Sequence, residues 1–187
     1  MKHTTQRLRR LAALPLLVAV VALLAAASAY AAATPQQLVK ALLKSPPAVP
    51  LPAELKGSIP HAAKLSRGSR LHHAVGAVEV GNSEALVGYL VFPTHAMTLA
   101  DLKAYPPDAG PNKVISRHPA GFPQPAYLIY AARNGYEVAY VVYVLDNVLV
   151  NSWAYGPKGS KKKILAIVQR DGLWAKKNAL RAMQRAG

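Results

Sequence analysis

The stretch that decides the fold runs from residue 126 to residue 155 and reads AYLIYAARNGYEVAYVVYVLDNVLVNSWAY. Two pairs of turn-forming residues, Asn134-Gly135 and Asp146-Asn147, interrupt its runs of β-branched and aromatic residues. Asn-Gly is a strong hairpin signal, because both central residues of a tight two-residue turn need a positive φ. The pattern therefore predicts three antiparallel strands, at 126–132, 136–145 and 148–155.

The two short turns also determine which side chains share a face of this sheet. They pair Tyr140 with Ile129 across the first turn and with Trp153 across the second. The face that carries Tyr140 is called the aromatic face, and in this stretch it comprises Tyr127, Ile129, Ala131, Val138, Tyr140, Val142, Val144, Leu149, Asn151, Trp153 and Tyr155. The opposite face is more uniformly aliphatic. A sheet with one wet face should alternate cleanly between apolar and polar residues, and this sheet does not.

Both faces are therefore expected to be covered, with helices on the aliphatic one. Three coverings are open for the aromatic face: loops together with the N-terminal helix, a second copy of the chain in a homodimer, or a ligand. The ligand interpretation gives four lining residues, Tyr127, Tyr140, Asn151 and Trp153. Asn151 is polar on an otherwise apolar face, so if buried it needs a hydrogen-bond partner in loop backbone or in a ligand.

The remaining elements follow from weaker patterns. Two strands are predicted at 74–80 and 85–92, around the turn residues 81–84. Helices are predicted at 34–44, from Thr94 or Thr98 to about Ala104, and from Lys161 onwards. The expected fold class is α+β: an antiparallel sheet of about five strands built from hairpins, with helices packed on one face and a basic C-terminal helix. Residues 34–70 are interpreted as a short helix and a proline-rich segment, and residues 71–187 as the α+β domain.

The first 33 residues have the layout of a secretory signal peptide that is cleaved on export. Lys2, Arg7, Arg9 and Arg10 precede an uncharged apolar run that ends in small residues suited to signal peptidase. A single-pass N-terminal membrane anchor is the alternative. We expect a periplasmic, cell-surface or secreted protein, whose stability comes from a packed core because the chain contains no cysteine.

The positive charge is concentrated at the C-terminal end. The chain has 23 Lys and Arg against 8 acids, and removal of the leader with its four bases leaves +11. Residues 158–187 contribute nine bases and one acid to this total. The predicted polyanion-binding residues are Lys158, Lys161, Lys162, Lys163, Lys176 and Lys177. Such a cluster suits an anionic envelope polymer or lipid surface, whereas intracellular nucleic acid is not expected as the partner of an exported protein.

The sequence offers no recognised catalytic, metal or cofactor motif. The histidines lack the i, i+4 helical spacing of a zinc site, and no phosphate-binding or dinucleotide loop is present. Ser160 and Lys163 match Ser-x-x-Lys without its companion motifs, so Ser160 is interpreted as a helix cap. No catalytic residue, metal or cofactor is assigned. The preferred function is an exported binding or interaction module, with an envelope-associated polyanion-binding protein as the first alternative and a small hydrolase as the second.

Overall fold

A seven-stranded antiparallel sheet forms the centre of the protein, with the strand order β1-β2-β3-β7-β6-β5-β4. The structure is a computed structural model and describes residues 33–44, 51–63, 73–104 and 112–187. The strands are β1 (His61–Ala62), β2 (Gly76–Gly81), β3 (Ala85–Val91), β4 (Asn112–Ser116), β5 (Ala126–Arg133), β6 (Tyr136–Leu145) and β7 (Val148–Pro157). The helices are α1 (Pro35–Lys44), α2 (His95–Ala104) and α3 (Lys161–Ala186), and a 3₁₀ turn covers Ala53–Leu55. The predicted α+β class with an antiparallel sheet is confirmed.

The two tight turns behave as predicted. Asn134 and Gly135 have φ values of 32° and 88°, and Asp146 has a φ of 49°. Tyr140 lies opposite Ile129 on β5 and opposite Trp153 on β7, so the register and the division into two faces are confirmed.

The sheet has seven strands instead of about five, because two short strands extend it beyond the predicted hairpins. The two-residue strand β1 pairs with β2, and β4 pairs with β5. Strand β1 lies in the segment predicted to be proline-rich, and β4 lies ahead of the three predicted strands, where no strand is predicted. A strand of two to five residues at a sheet edge is extended because it pairs with the neighbouring strand. Its own sequence therefore does not predict it.

Helices α1 and α3 cover the aliphatic face. This position was expected for α3, whereas the alternative that the N-terminal helix helps to cover the aromatic face is wrong for α1. Each of these helices follows a hydroxyl residue: the amide of Gln37 donates to the Thr34 hydroxyl over 3.3 Å, and the amide of Ile164 donates to the backbone carbonyl of Ser160, just before α3, over 3.0 Å. The core between helices and sheet includes Leu38, Leu42, Ile164, Val168, Ala175 and Ala179, packed on Val78, Val87, Val141, Tyr143 and Val150.

The expectation that the helices pack on one face is wrong for α2. Leu102 of α2 is buried with Val142 and Leu149, which belong to the aromatic face. Met97 and Leu99 pack against the same cluster. Helix α2 therefore covers one end of the aromatic face, and the apolar residues at that end form a second, smaller core.

The predicted leader lies outside the described residues except for Ala33, so its interpretation as a signal peptide stays a prediction. Within the described ranges, no helix combines the length and the apolar character needed to cross a bilayer.

Candidate functional site

The described residues leave open the end of the aromatic face that α2 does not reach. A shallow depression of about 270 Å³ lies there, lined by Val138, Tyr140, Asn151, Trp153 and Tyr155. Three of the four predicted ligand-binding residues, Tyr140, Asn151 and Trp153, thus come together in one depression. All lining residues belong to β6 and β7, which are central strands of the sheet.

Aromatic rings form the wall of the depression. Tyr140 and Trp153 are directly opposite each other on neighbouring strands. The ring of Trp153 meets that of Tyr155 edge to face, with centroids 4.6 Å apart, and Tyr155 meets Tyr136 in the same manner at 6.2 Å. Tyr136 and Tyr155 are 44% and 42% exposed. The rings support one another and still present apolar surface to the solvent.

Asn151 lies at the edge of this wall, beside a glycine. Its partner on β3 is Gly88, and a Cβ atom at position 88 would collide with the Asn151 side-chain oxygen Oδ1. Gly88 therefore makes the room that the amide occupies. Oδ1 is buried and has no hydrogen-bond partner among the described residues. The predicted hydrogen bond from loop backbone to this amide is not formed at Oδ1.

A polar pair that sequence reasoning missed lies on the same face. Glu79 is opposite Gly88 on one side and His61 on the other, so the residues form one row across the sheet. The His61 Nε2 and Glu79 Oε2 atoms are 3.8 Å apart, and both side chains are exposed. Glu79 is two strands from Asn151, about 10 Å at the usual strand spacing. The alternation of apolar and polar residues in β2 indicates the face on which Glu79 lies. Strand β1 was not predicted, however, so the position of His61 beside Glu79 could not be inferred from the sequence.

Tyr127, the fourth predicted ligand-binding residue, lies apart from the depression. It is opposite Val142 and packs against the small core under α2. The guanidinium of Arg117 lies 5.9 Å from the centre of its ring. Tyr127 therefore contributes to the covered end of the aromatic face.

The predicted polyanion-binding lysines form two groups, four around the start of α3 and two, Lys176 and Lys177, in its second half. Lys158, Lys161, Lys162 and Lys163 are exposed around the start of α3. The ammonium of Lys161 lies 4.7 Å from the centre of the Tyr130 ring, and that of Lys176 donates to the Gly121 carbonyl over 2.8 Å. Two of the six lysines thus have structural contacts of their own.

A seven-residue spacing aligns two of these lysines with two arginines on the outer side of α3. Lys163, Arg170 and Lys177 follow one another at seven-residue intervals, and Arg181 continues the row; all four are exposed. Arg170 forms an ion pair with Glu54 and a 3.4 Å contact with Asp171. We call these four residues the basic row.

The start of α3 is held by the buried carboxylate of Glu137. Glu137 accepts a hydrogen bond from the Gly159 amide at 3.1 Å, and its Oε2 atom lies 3.4 Å from the Ser160 hydroxyl oxygen. The Gly159 amide is the largest cause of the lowered pKa of Glu137. The Ser160 hydroxyl donates to the Pro157 carbonyl at 2.7 Å, the shorter of its two contacts. Among the described residues, no three side chains of His, Asp or Glu converge as metal ligands would.

Comparison with known proteins gives little to add. No family model matches the chain, and no curated protein matches it. Among solved structures, it is similar to the extracellular domain of PknH from Mycobacterium tuberculosis, with 14% identity and a TM-score of 0.34. The match covers 61% of this chain and 65% of the PknH domain, so it spans less than two thirds of that domain's length. A likeness at this level carries no argument about function.

Proposed function

We propose that the chain is an exported binding module that holds a neutral saccharide in the depression at the open end of the aromatic face. One observation carries the proposal: the Asn151 side-chain oxygen, which has no hydrogen-bond partner in the described part of the chain, lies beside a wall of supported aromatic rings. The basic, apolar and small-residue order of the first 33 residues supports export.

The chemistry of the depression favours a sugar over a charged ligand. Sugar rings have an apolar C–H face that packs on flat aromatic rings, as Tyr140 and Trp153 offer. Their hydroxyl groups donate and accept hydrogen bonds, which suits the planar amide of Asn151 and the exposed carboxylate of Glu79. None of the residues that line the depression is charged. Tyr and Trp also give a large contact area with few rotatable bonds to immobilise.

The test is binding to a panel of neutral polysaccharides and of oligosaccharides such as cellotetraose and chitotetraose. Affinity electrophoresis of the mature chain identifies a binder, and titration calorimetry then measures its affinity. Trp153→Ala and Tyr140→Ala are expected to reduce that affinity at least tenfold. Leu180→Ala is the matched control, because Leu180 is an exposed apolar residue on α3, on the other side of the sheet.

Two results would overturn the proposal. One is an absence of retention by any glycan of the panel. The other is a homodimer in sizing chromatography that Tyr155→Glu converts to monomers, since a second copy of the chain would then cover the depression.

A second candidate function rests on the basic row. Lys163 and Lys177 are exposed, and no ion pair is formed by either within the described ranges. Together with Lys158 and Lys162, they would release counterions from an anionic polymer on binding. This candidate uses the opposite side of the sheet, so it is compatible with the saccharide site.

A further inference from the structure

A separate cavity lies between the sheet and the helices on the aliphatic face. It has a volume of about 210 Å³ and is bounded by α1, α3, strands β2 and β3, and the segment between the 3₁₀ turn and β1. The residues that line it are Leu42, Leu51, Ser58, Ile59, Pro60, Val80, Tyr89, Trp174, Asn178 and Ala182. The cavity shares no residue with the saccharide depression.

A buried hydroxyl group without a well-formed hydrogen bond contributes to the cavity wall. Tyr89 is 2% exposed, and no described atom forms a hydrogen bond of acceptable geometry with its hydroxyl oxygen. Burial raises the pKa of Tyr89 far above its ordinary value, and the Asn178 side chain opposes this shift only in part. The phenol is therefore neutral at physiological pH and offers both a donor and an acceptor. The Asn178 side chain, which also lines the cavity, is the hydrogen-bonding group that opposes the shift, but its contact with the hydroxyl falls short of hydrogen-bond geometry. A poorly bonded buried hydroxyl destabilises a fold, so a ligand that bonds well to Tyr89 would stabilise it.

The remaining described walls are uncharged and mainly apolar, with Ser58 and Asn178 as their polar side chains. Leu42, Val80 and Ala182 come from the main core cluster. No Lys, Arg, Asp, Glu or His is among the lining residues, although the chain as a whole carries a net charge of +15. The mouth is flanked by Ile59, which is 79% exposed, the largest exposed fraction among the large apolar residues of the described chain. Apolar walls with a few placed polar groups are the usual composition of a small-molecule site.

We propose that this cavity binds a small, neutral, mainly apolar molecule that carries one hydroxyl or carbonyl group, with that group hydrogen-bonded to Tyr89. The volume sets the size of the ligand. An apolar protein cavity of about 150 Å³ accepts benzene, so about 210 Å³ accommodates a substituted single ring or a short aliphatic alcohol. The proposal does not depend on the saccharide site, because the two sites lie on opposite faces of the sheet.

The experiment compares two probes that differ by one hydroxyl group. Titration calorimetry with p-cresol and with toluene measures the contribution of that group to binding. We expect p-cresol to bind about five- to tenfold more tightly than toluene, which corresponds to one neutral hydrogen bond. Tyr89→Phe is expected to reduce the affinity for p-cresol to that for toluene and to leave toluene binding unchanged.

Tyr143→Phe is the matched control. Tyr143 is also a buried tyrosine, but its hydroxyl donates to the Gly172 carbonyl at 2.8 Å and Tyr143 does not line the cavity. This variant is expected to keep the preference for p-cresol. Ala182→Leu, which fills the cavity from α3, is expected to weaken both probes.

The position of the probe is read from fluorescence. The chain has two tryptophans, so Trp153→Phe leaves Trp174, at the cavity wall, as the single reporter. Saturation with p-cresol should then change the emission of Trp174. An equal preference for p-cresol in wild type and in Tyr89→Phe would overturn the proposal, as would an unchanged Trp174 emission or an absence of p-cresol binding at millimolar concentration. None of these results bears on glycan binding, which is tested by Trp153→Ala.

Discussion

Tyr143 of strand β6 donates a hydrogen bond from its hydroxyl group to the backbone carbonyl oxygen of Gly172 in helix α3, over a distance of 2.8 Å. Tyr143 is fully buried, so the bond joins the centre of the sheet to the middle of the long helix away from solvent. The ring of Phe122 packs against that of Tyr143 with centroids 5.2 Å apart. The contact fixes the position of α3 over the sheet.

Removing this hydroxyl should destabilise the protein. Tyr143→Phe is expected to lower the free energy of unfolding by about 1 kcal/mol, the usual net value of a neutral hydrogen bond. Tyr89→Phe should leave that free energy unchanged or raise it, because the Tyr89 hydroxyl has no well-formed bond to lose. Urea unfolding of both variants measures the difference. Equal losses in the two would contradict the assignment of the Tyr143 bond as the stabilising one.

Gly172 should resist substitution even though it lies inside a helix. Alanine is favoured over glycine there by about 1 kcal/mol in helix propensity. A Cβ atom at Gly172, however, would lie 2.6 Å from Cγ1 of Val141 and 3.0 Å from Cε1 of Phe122. Overpacking of this kind costs about 1–3 kcal/mol, so Gly172→Ala is expected to reduce the urea midpoint.

Val141→Ala tests whether the contact with Val141 is the reason that Gly172→Ala is destabilised. It removes the atom with which the new methyl group collides, so the double variant should lose less stability than the sum of the two single changes. A Gly172→Ala protein as stable as wild type would show that the helix can move away from the sheet.

The sequence predicted the hairpins because their turns are local. Asn134-Gly135 and Asp146-Asn147 determine the register with no information from elsewhere in the chain, and alternation then assigns each residue to a face. The course of α2 could not be predicted in this way, since Met97, Leu99 and Leu102 pack on a cluster that forms only in the folded sheet.

The candidate sites were predictable only in part. Tyr140, Asn151 and Trp153 come from one hairpin, so their proximity follows from its register. The cavity, in contrast, is lined by Tyr89 of β3 and Trp174 of α3, which are far apart in the sequence. Tyr89 is flanked by apolar residues in β3 and is typical of a core residue, so nothing local indicates that its hydroxyl lacks a well-formed bond.

Binding of anionic polymers should depend on the outer side of α3. A triple change of Lys162, Lys163 and Lys177 to Gln is expected to lower the salt concentration at which the protein elutes from immobilised heparin, because fewer counterions are released. The matched control changes Lys40, Lys56 and Lys103, which are exposed elsewhere, and removes the same charge. Equal shifts for the two triple variants would show that net charge alone determines retention.

Asp171 should make the stability depend on pH in an unusual direction. Its side chain is 1% exposed, and burial, opposed by Arg170, raises its pKa from 3.8 to about 6. Between these two values the folded chain holds a proton that the unfolded chain has released, so the contribution of Asp171 to stability is lost as the pH rises from about 4 to 6. Each unit of difference corresponds to about 1.4 kcal/mol, so the loss amounts to at most about 3 kcal/mol.

The measurement is a series of urea unfolding curves between pH 4 and pH 7. Asp171→Asn should flatten this part of the profile and raise the stability at pH 7 by about 1–3 kcal/mol. In this variant the side chain no longer carries buried charge at the Oδ2 position, for which no described residue is a hydrogen-bond partner. Arg170 keeps its ion pair with Glu54 in this variant, so the substitution leaves no cation without a partner. Glu84→Gln, an exposed carboxylate on the β2–β3 turn, is the control and should follow wild type. If Asp171→Asn also follows the wild-type profile, then Asp171 is already ionised in the folded protein at pH 4, and its burial does not oppose its charge.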